Sequence, residues 1–371
     1  MMNPEELLAL KIRLLTEGAS LPDGFFSGRK GGAGPVGGRY FILPNGRNCG
    51  VPIREGKMAK RFESAKIEPM DADGTWLFDS TTNLIEVPKP AFYDLKTEDG
   101  IPYNKIALLH GPNCLATTAY QSCRYWNSAT QCKYCTIPMS HLSDNTILEK
   151  TPAQIAEVVQ AAEKEGTIKH ILLTTGTPDS VDLGITRLAD ITRSIRKVSE
   201  LPVAVQFEPP EDLSHIDLLA EAGVNAVGIH LESADEKVRE EFCPGKYKHG
   251  SFDAYKAAWE RSLEHFKPGD VSTFILLGLG ENIPKTLQFC EDAASMGVMP
   301  IVTPIRPAAG SQLADYTPSY VGALDETIDF YQSLGDILVA SELNPRETAG
   351  GCSRCGGCTP IQEAYDWASS N

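Results

Sequence analysis

The chain has 371 residues and a formal net charge of −15, from 49 acidic against 34 basic side chains. That length buries one large core or two smaller ones, and the acidic balance argues against polymeric nucleic acid as a partner. No apolar run approaches a membrane span, and the start, MMNPEELLALKIRLL, lacks the basic region, apolar run and cleavage site of a signal peptide. The expected location is therefore cytoplasmic, with no membrane partner. In that compartment clustered cysteines bind metal more often than they pair.

Residues 1–100 read as an N-terminal extension of mixed short strands and loops. Residues 5–15 have the pattern of a short amphipathic helix, and 38–43 and 75–78 look like short strands. The glycine run GRKGGAGPVGGRYF lacks the Gly-Lys-Ser/Thr ending and preceding strand of a phosphate-binding loop, so it reads as a plain loop. Cys49 lies in a turn-like context. It reads as a structural cysteine and stays a candidate fourth ligand for a cluster elsewhere.

At 106–109 an apolar strand candidate runs into a loop that holds Cys114, Cys123, Cys132 and Cys135. Cys132 and Cys135 form a C-x2-C pair, whose short turn aims both sulfurs one way; Cys123 precedes them with eight residues between, giving C-x8-C-x2-C. Three thiolates on a four-iron cluster leave one iron open for chemistry. The same pair also suits zinc, and free or structural thiols are the third reading.

From there strands alternate with helices. The strand candidates are 105–110, 170–175, 202–207, 226–231, 272–277 and 299–304. The helical patterns between them cover 152–165, 186–198, 214–222, 236–242, 252–265 and 284–296. Short apolar strands separated by amphipathic helices imply a parallel sheet covered by helices. The fold class is α/β, and six units over 101–310 predict a partial (β/α)6 TIM-type barrel with N-terminal and C-terminal extensions. A full eight-fold barrel takes roughly 250 residues, and a doubly wound open sheet is the alternative. A barrel collects function at the C-terminal ends of its strands. Those ends read Thr174-Thr175-Gly176-Thr177, Gln206-Phe207-Glu208, His230-Leu231-Glu232-Ser233, Gly278-Leu279-Gly280-Glu281 and Thr303-Pro304-Ile305-Arg306.

Residues 311–371 form the C-terminal extension. An amphipathic helix at 322–340 is expected to close one side of the barrel, and 362–371 to form a short helix that frays. Between them Cys352, Cys355 and Cys358 make C-x2-C-x2-C in the glycine-rich run RETAGGCSRCGGCTPI. Such a loop fits an iron–sulfur cluster, with zinc or a local redox or purely structural role as alternatives. A four-iron cluster there needs a fourth ligand, with Cys49, Cys243 and Cys114 as candidates, or keeps an open corner. Cys290 reads as a core residue.

Taken together, residues 101–310 resemble the radical S-adenosylmethionine (SAM) superfamily, in particular its biotin-synthase-like branch. The resemblance implies a [4Fe–4S] cluster on Cys123, Cys132 and Cys135, with Tyr134 as the aromatic before the last cysteine. It implies that the amino and carboxylate groups of SAM chelate the open iron, and that reductive cleavage yields a 5′-deoxyadenosyl radical that takes hydrogen from a small-molecule substrate. By position, Thr174, Thr175, Gly176 and Thr177 would receive the SAM amino group, and Glu232 and Ser233 would lie near the ribose. Arg239 would pair with the SAM carboxylate, and Gly278 and Ile305 would lie beside the adenine. The family's commonest spacing is C-x3-C-x2-C, so the longer loop leaves Cys114 competing with Cys123 as first ligand, and the strand-two motif lacks its acidic residue. An external donor of flavodoxin or ferredoxin type would supply the electron, and the C-terminal loop would hold a second Fe–S cluster. The chain also resembles a radical SAM subfamily encoded beside nitrilase-type genes, which suggests nitrile, cyanide or amide metabolism by association. A sulfur-inserting enzyme similar to biotin synthase and a zinc-stabilised α/β binding protein without redox chemistry are the competing readings.

Overall fold

The computed structural model describes residues 2–25, 38–71, 73–127 and 129–371. The glycine run between 28 and 37 lies outside them. The N-terminal part contains α1 (Pro4–Thr16), β1 (Ala19–Ser20), β2 (Gly38–Ile42), β3 (Asn48–Pro52), α2 (Gly56–Arg61), β4 (Ala65–Pro69), β5 (Thr75–Phe78) and β6 (Thr82–Glu86). Helix α1 starts at a capping box in which Asn3 and Glu6 satisfy each other's backbone N–H. The six strands form one sheet in the order β1-β4-β5-β6-β2-β3. Leu10, Leu14 and Leu15 of α1 pack on its Phe41, Cys49, Val51, Ile67 and Trp76. The two short strands expected from the sequence are thus part of a larger sheet.

The second sheet holds β7 (Leu108–His110), β8 (Cys114–Thr118), β9 (His170–Thr174), β10 (Val203–Phe207), β11 (Ala226–Ile229), β12 (Val271–Leu277) and β13 (Val298–Pro304), each bonded to its sequence neighbour. Strands β8 to β13 are parallel, and β7 is antiparallel to β8. Helices α3 (Tyr103–Ile106), α4 (Ile137–Leu142), α5 (Pro152–Glu165), α6 (Ile185–Arg196), α7 (Ser214–Glu221), α8 (Glu236–Phe242), α9 (Pro244–His249), α10 (Phe252–Leu263) and α11 (Ile283–Ser295) precede or connect these strands. Consecutive parallel strands joined by right-handed crossovers put their helices on one face, so the sheet curls round the other. This is the partial barrel; the sequential order excludes the doubly wound alternative.

One correction concerns the first strand. The segment 105–110 splits into the end of α3 and the edge strand β7, and the first parallel strand is β8. Cys114 therefore opens a barrel strand and does not sit in the loop that follows it. Gly111, at φ 72, supplies the left-handed turn residue between β7 and β8.

Alternation along the strands separates two cores. Leu115, Ile171, Leu173, Val203, Val205, Val227 and Ile229 face the helices. Cys114, Ala116, Leu172, Ala204 and Ala226 face the barrel interior. Register stacks the interior in layers: Ala116 beside Leu172, Ala204 and Ala226, then Thr118 beside Thr174, Gln206 and Gly228. Small residues in these layers leave room inside.

The chain ends with α12 (Leu324–Ala340), α13 (Gly351–Cys355) and α14 (Ile361–Ser370). Helix α12 packs Phe330, Tyr331, Leu334 and Leu338 into the helix-side core, and its Tyr331 hydroxyl donates to the Val302 carbonyl of β13. The tail does not fray at its start: Ile361, Gln362, Glu363 and Ala364 are buried, and the Glu363 carboxylate lies 3.8 Å from Lys11 and 3.9 Å from Arg47. Among the described residues no helix is long and apolar enough to cross a membrane.

Candidate active site

The loop after β8 returns across the C-terminal ends of the strands. Its start is tied to β9, with Ala119 N–H donating to the Thr174 carbonyl at 2.7 Å, Gly176 N–H to Tyr120 at 2.9 Å and Arg124 N–H to Thr177 at 2.8 Å. Its far part docks on α8 and α9, where Lys133 N–H donates to Phe242 at 2.8 Å and Gly245 N–H to Thr130 at 2.9 Å. A Cβ on Gly176 would stand 1.8 Å from the Ser122 carbonyl oxygen, so the approach of loop to strand end requires glycine.

These contacts bring Cys123, Cys132 and Cys135 to one cavity of about 180 Å³ together with Thr174, Thr175, Gly176, Thr177, Glu208, His230, Glu232 and Lys246. All ten cysteines are free thiols. Burial pushes the Cys135 thiol up to about 12 and raises Cys123. Cys132 is raised well above the thiol range by its contact with Cys243 and by burial. The Tyr134 hydroxyl lies 3.3 Å from the Cys243 sulfur. Among the described residues no three His, Cys, Asp or Glu side chains are drawn tightly enough for a single metal ion. Thiolates bound to different irons of a cluster stand further apart than ligands of one ion, so three thiols around a shared cavity fit a cluster.

The opposite wall is ionic. Glu232 adopts φ 74, held by its N–H on the Phe274 carbonyl at 2.9 Å and its carbonyl on Leu276 N–H at 2.8 Å. Its carboxylate takes Lys246 Nζ at 2.6 Å, with both side chains largely buried. Burial works against the Lys246 ammonium, but Glu232 and Glu208 more than offset it and hold its pKa well above the lysine value. The Glu208 carboxylate accepts from Thr177 and, at 3.2 Å, from the Tyr125 hydroxyl. His230 stacks on Phe274, ring centres 4.3 Å apart, and its Nδ1 accepts the Phe274 N–H at 3.1 Å. That fixes the neutral ring's proton on Nε2, which has no partner among the described residues. Burial and then Lys246 pull His230 down to about 3.

Other predicted residues lie elsewhere. Arg239 does not line this cavity: it is buried, donates to the Gly250 carbonyl at 2.7 Å and lies over the Tyr255 ring at 5.3 Å. It lines a separate surface pocket with Ser233. Gly278, at φ 108, is packed against Tyr320, and Ile305 is buried in an apolar layer with Leu276, Leu279 and Cys243, against which Cys132 and Tyr134 also pack. Sequence reasoning gave no role to Tyr125, Gln206 and Glu208 and missed Lys246. The polar strand end Gln206-Phe207-Glu208 was the readable signal for two of them.

Of the C-terminal cysteines, Cys352 and Cys355 lie at the other end of the barrel, and Cys358 lies beside Thr303 near the C-terminal end of β13. Cys352 and Cys355 pack against Cys114 and its interior layer. Contact with Cys114 pulls the Cys355 thiol down to about 7 against the effect of burial. Gln206, whose side chain also lines the cavity, donates from Nε2 to the Cys352 sulfur at 3.3 Å.

Residues 129–293 match the family model described as the radical SAM superfamily, a span that includes Cys132 and Cys135 and begins after Cys123. Among curated proteins the chain is similar to the bacteriochlorophyllide c C-7(1)-hydroxylase of Chlorobaculum limnaeum, 25% identical over 258 residues, covering 63% of this chain and 64% of that protein. Among solved structures it is similar to methylornithine synthase, with 19% identity, 62% of each chain covered and a TM-score of 0.48. It is also similar to the FeFe-hydrogenase maturase of Carboxydothermus hydrogenoformans, with 17% identity, 61% of this chain and 51% of that chain covered and a TM-score of 0.44. The chain thus spans less than two thirds of the length of each of these relatives. By the family match, the chain carries a domain of the radical SAM superfamily.

Proposed function

We propose that this protein is a radical SAM enzyme that acts on a small-molecule substrate in the barrel interior. What supports the reading is the single cavity in which Cys123, Cys132 and Cys135 face Thr174–Thr177 and Glu232. The thiols fit a [4Fe–4S] cluster: they are free, partly buried and share one space. When bound, that cluster supplies the electron that splits SAM into methionine and a 5′-deoxyadenosyl radical, which takes a hydrogen atom from substrate.

The chain's own residues supply position and exclusion. Loading the cluster displaces the protons of three thiols whose pKa values burial raises, so assembly releases protons. The backbone of Thr174–Thr177, carried on β9, offers peptide groups to the SAM amino group. Glu232, clamped by Lys246, offers its second carboxylate oxygen to the ribose hydroxyls. Buried apolar surface around Cys132 keeps water from the radical. Arg239 acts on the SAM carboxylate only if its guanidinium leaves Gly250. An external flavodoxin- or ferredoxin-type protein is the electron donor, and Cys352, Cys355 and Cys358 hold a second Fe–S cluster.

The test is anaerobic reconstitution followed by electron paramagnetic resonance of the reduced protein with and without SAM. The reading expects a SAM-dependent change in the signal that Cys132→Ala abolishes. A reduced cluster whose signal ignores SAM, or a protein that takes up zinc and no iron, overturns it.

A further inference from the structure

We propose that Cys114 is the fourth ligand of the C-terminal cluster, making a closed four-thiolate site with Cys352, Cys355 and Cys358 beneath the cavity floor. The proposal rests on reading the C-terminal loop as a cluster loop, and it adds the missing ligand, the location and the coordination state.

Position carries the argument. Cys114 is the first residue of β8, and strand alternation turns Cys114, Ala116 and Thr118 to the barrel interior. It is fully buried at the N-terminal end of the barrel, four residues or ~13 Å along the strand from Thr118, where the first cysteine loop begins. Cys114 is thus removed from the Cys123 group by the depth of the barrel. There it meets Cys352 and Cys355, which share one face of α13 at i, i+3 spacing.

The loop is shaped to reach it. Gly350 passes beneath Ala204, where an added Cβ would stand 3.3 Å from the alanine methyl, and Gly351 takes φ 84. Gly356, at φ 64, ends α13 and turns the chain along the open side toward the C-terminal part of β13, where the Cys358 carbonyl accepts from Thr303 at 2.5 Å while the Cys358 thiol stays within electrostatic reach of Cys114 and Cys352. The segment thereby bridges the open side of the barrel, from His110 on β7 to Thr303 on β13.

Two side-chain amides aim at the sulfurs, as donors to cluster thiolates do. Gln206 Nε2 reaches Cys352 at 3.3 Å, and Asn48 Nδ2 reaches Cys355 at 3.5 Å. The other candidate ligands are committed elsewhere. Cys49 points into the apolar core under α1, on the opposite face of β3 from Asn48. Cys243 lies with Tyr134 at the far end of the barrel.

Four thiolates leave no open iron. The site therefore does not anchor substrate, unlike a three-cysteine cluster; Gln206 is the side chain shared between it and the cavity.

The experiment uses the full chain with Cys123, Cys132 and Cys135 all replaced by alanine, so that only the second site remains. After anaerobic reconstitution, iron and acid-labile sulfide are counted and the reduced protein is examined by electron paramagnetic resonance. About four irons per chain are expected. Adding Cys114→Ser should cost a quarter or more of that iron or shift the signal, whereas Cys49→Ser and Cys243→Ser should do neither. If Cys114→Ser fails to fold, adding imidazole or cyanide to the parent variant serves instead: a closed cluster keeps its signal, an open one shifts. Full iron and an unchanged signal in Cys114→Ser, or a shift with imidazole, refute the Cys114 assignment and leave the cluster loop standing. A folded parent variant with no iron, or with zinc only, refutes the cluster loop itself.

Discussion

Replacing Lys246 by methionine leaves the Glu232 carboxylate alone in the cavity wall. The two charges are 2.6 Å apart, with side-chain exposures of 16% and 10%. At the effective dielectric of a partly buried site, opposite charges about 4 Å apart attract by about 4 kcal/mol. Desolvation offsets part of this, and breaking such a pair from one side typically costs about 3 kcal/mol. Glu232 also holds a left-handed backbone, φ 74, that costs on the order of 1 kcal/mol and persists because its surroundings over-determine it. Lys246→Met should therefore lower the melting temperature of the reduced apoprotein by about 4 °C. Glu232→Gln/Lys246→Met should recover most of that loss, because no charge is then left unpaired. Thermal denaturation of wild type, both single variants and the double variant gives the coupling. Additive losses, or a Lys246→Met shift below about 1 °C, would refute the buried clamp.

Gly176→Ala drives a methyl into the Ser122 carbonyl and should push the cysteine loop off β9; a cost of roughly 1–3 kcal/mol is expected, read as loss of cluster-bound iron with the fold retained by circular dichroism. Cys243 touches Cys132 but is assigned no ligand role, so Cys243→Ser should keep the first cluster's iron while Cys132→Ser loses it. Lys150 is buried, donates to the Thr118 carbonyl at 2.7 Å, and burial lowers its pKa to about 7. The unfolded chain then binds more protons between pH 7 and the ordinary lysine value, so this group's contribution to stability rises with pH across that window. Lys150→Met should be stabilising at pH 7 relative to wild type, with the advantage shrinking toward pH 10 in denaturant titrations. His230, pulled down to about 3 by burial, works at the acid end. The unfolded ring takes a proton that the folded one refuses, so stability falls as pH drops from about 6.5 toward 3, and His230→Phe should flatten that limb.

Most of the barrel was legible because parallel strands buried on both faces read as short apolar runs, and β9 to β13 fall within a few residues of their expected bounds. The strand that escaped, β8, reads Cys-Leu-Ala-Thr-Thr. Its interior face is small because it lines the barrel, so no apolar run announces it, and Cys114 was taken for a loop residue. The helix Glu236–Phe242 was legible, but the direction of the Arg239 side chain was not, since the Gly250 carbonyl that holds it belongs to a later turn. Lys246 carries no local signal either. Its partner Glu232 depends on a left-handed backbone and on a chain reversal through two helices, neither of which has a pattern in the sequence. The cysteine spacings exposed two groups of three; only the start of a barrel strand, set by tertiary register, brings a fourth thiol to the second.

The most direct test of the central reading is formation of 5′-deoxyadenosine. The reconstituted protein, given SAM and a low-potential reductant without oxygen, should produce it together with methionine, and Cys123→Ala, Cys132→Ala and Cys135→Ala should each abolish the product. A protein fully loaded with iron at the first site that binds SAM yet releases no 5′-deoxyadenosine, with or without the flavodoxin- or ferredoxin-type donor, would contradict it.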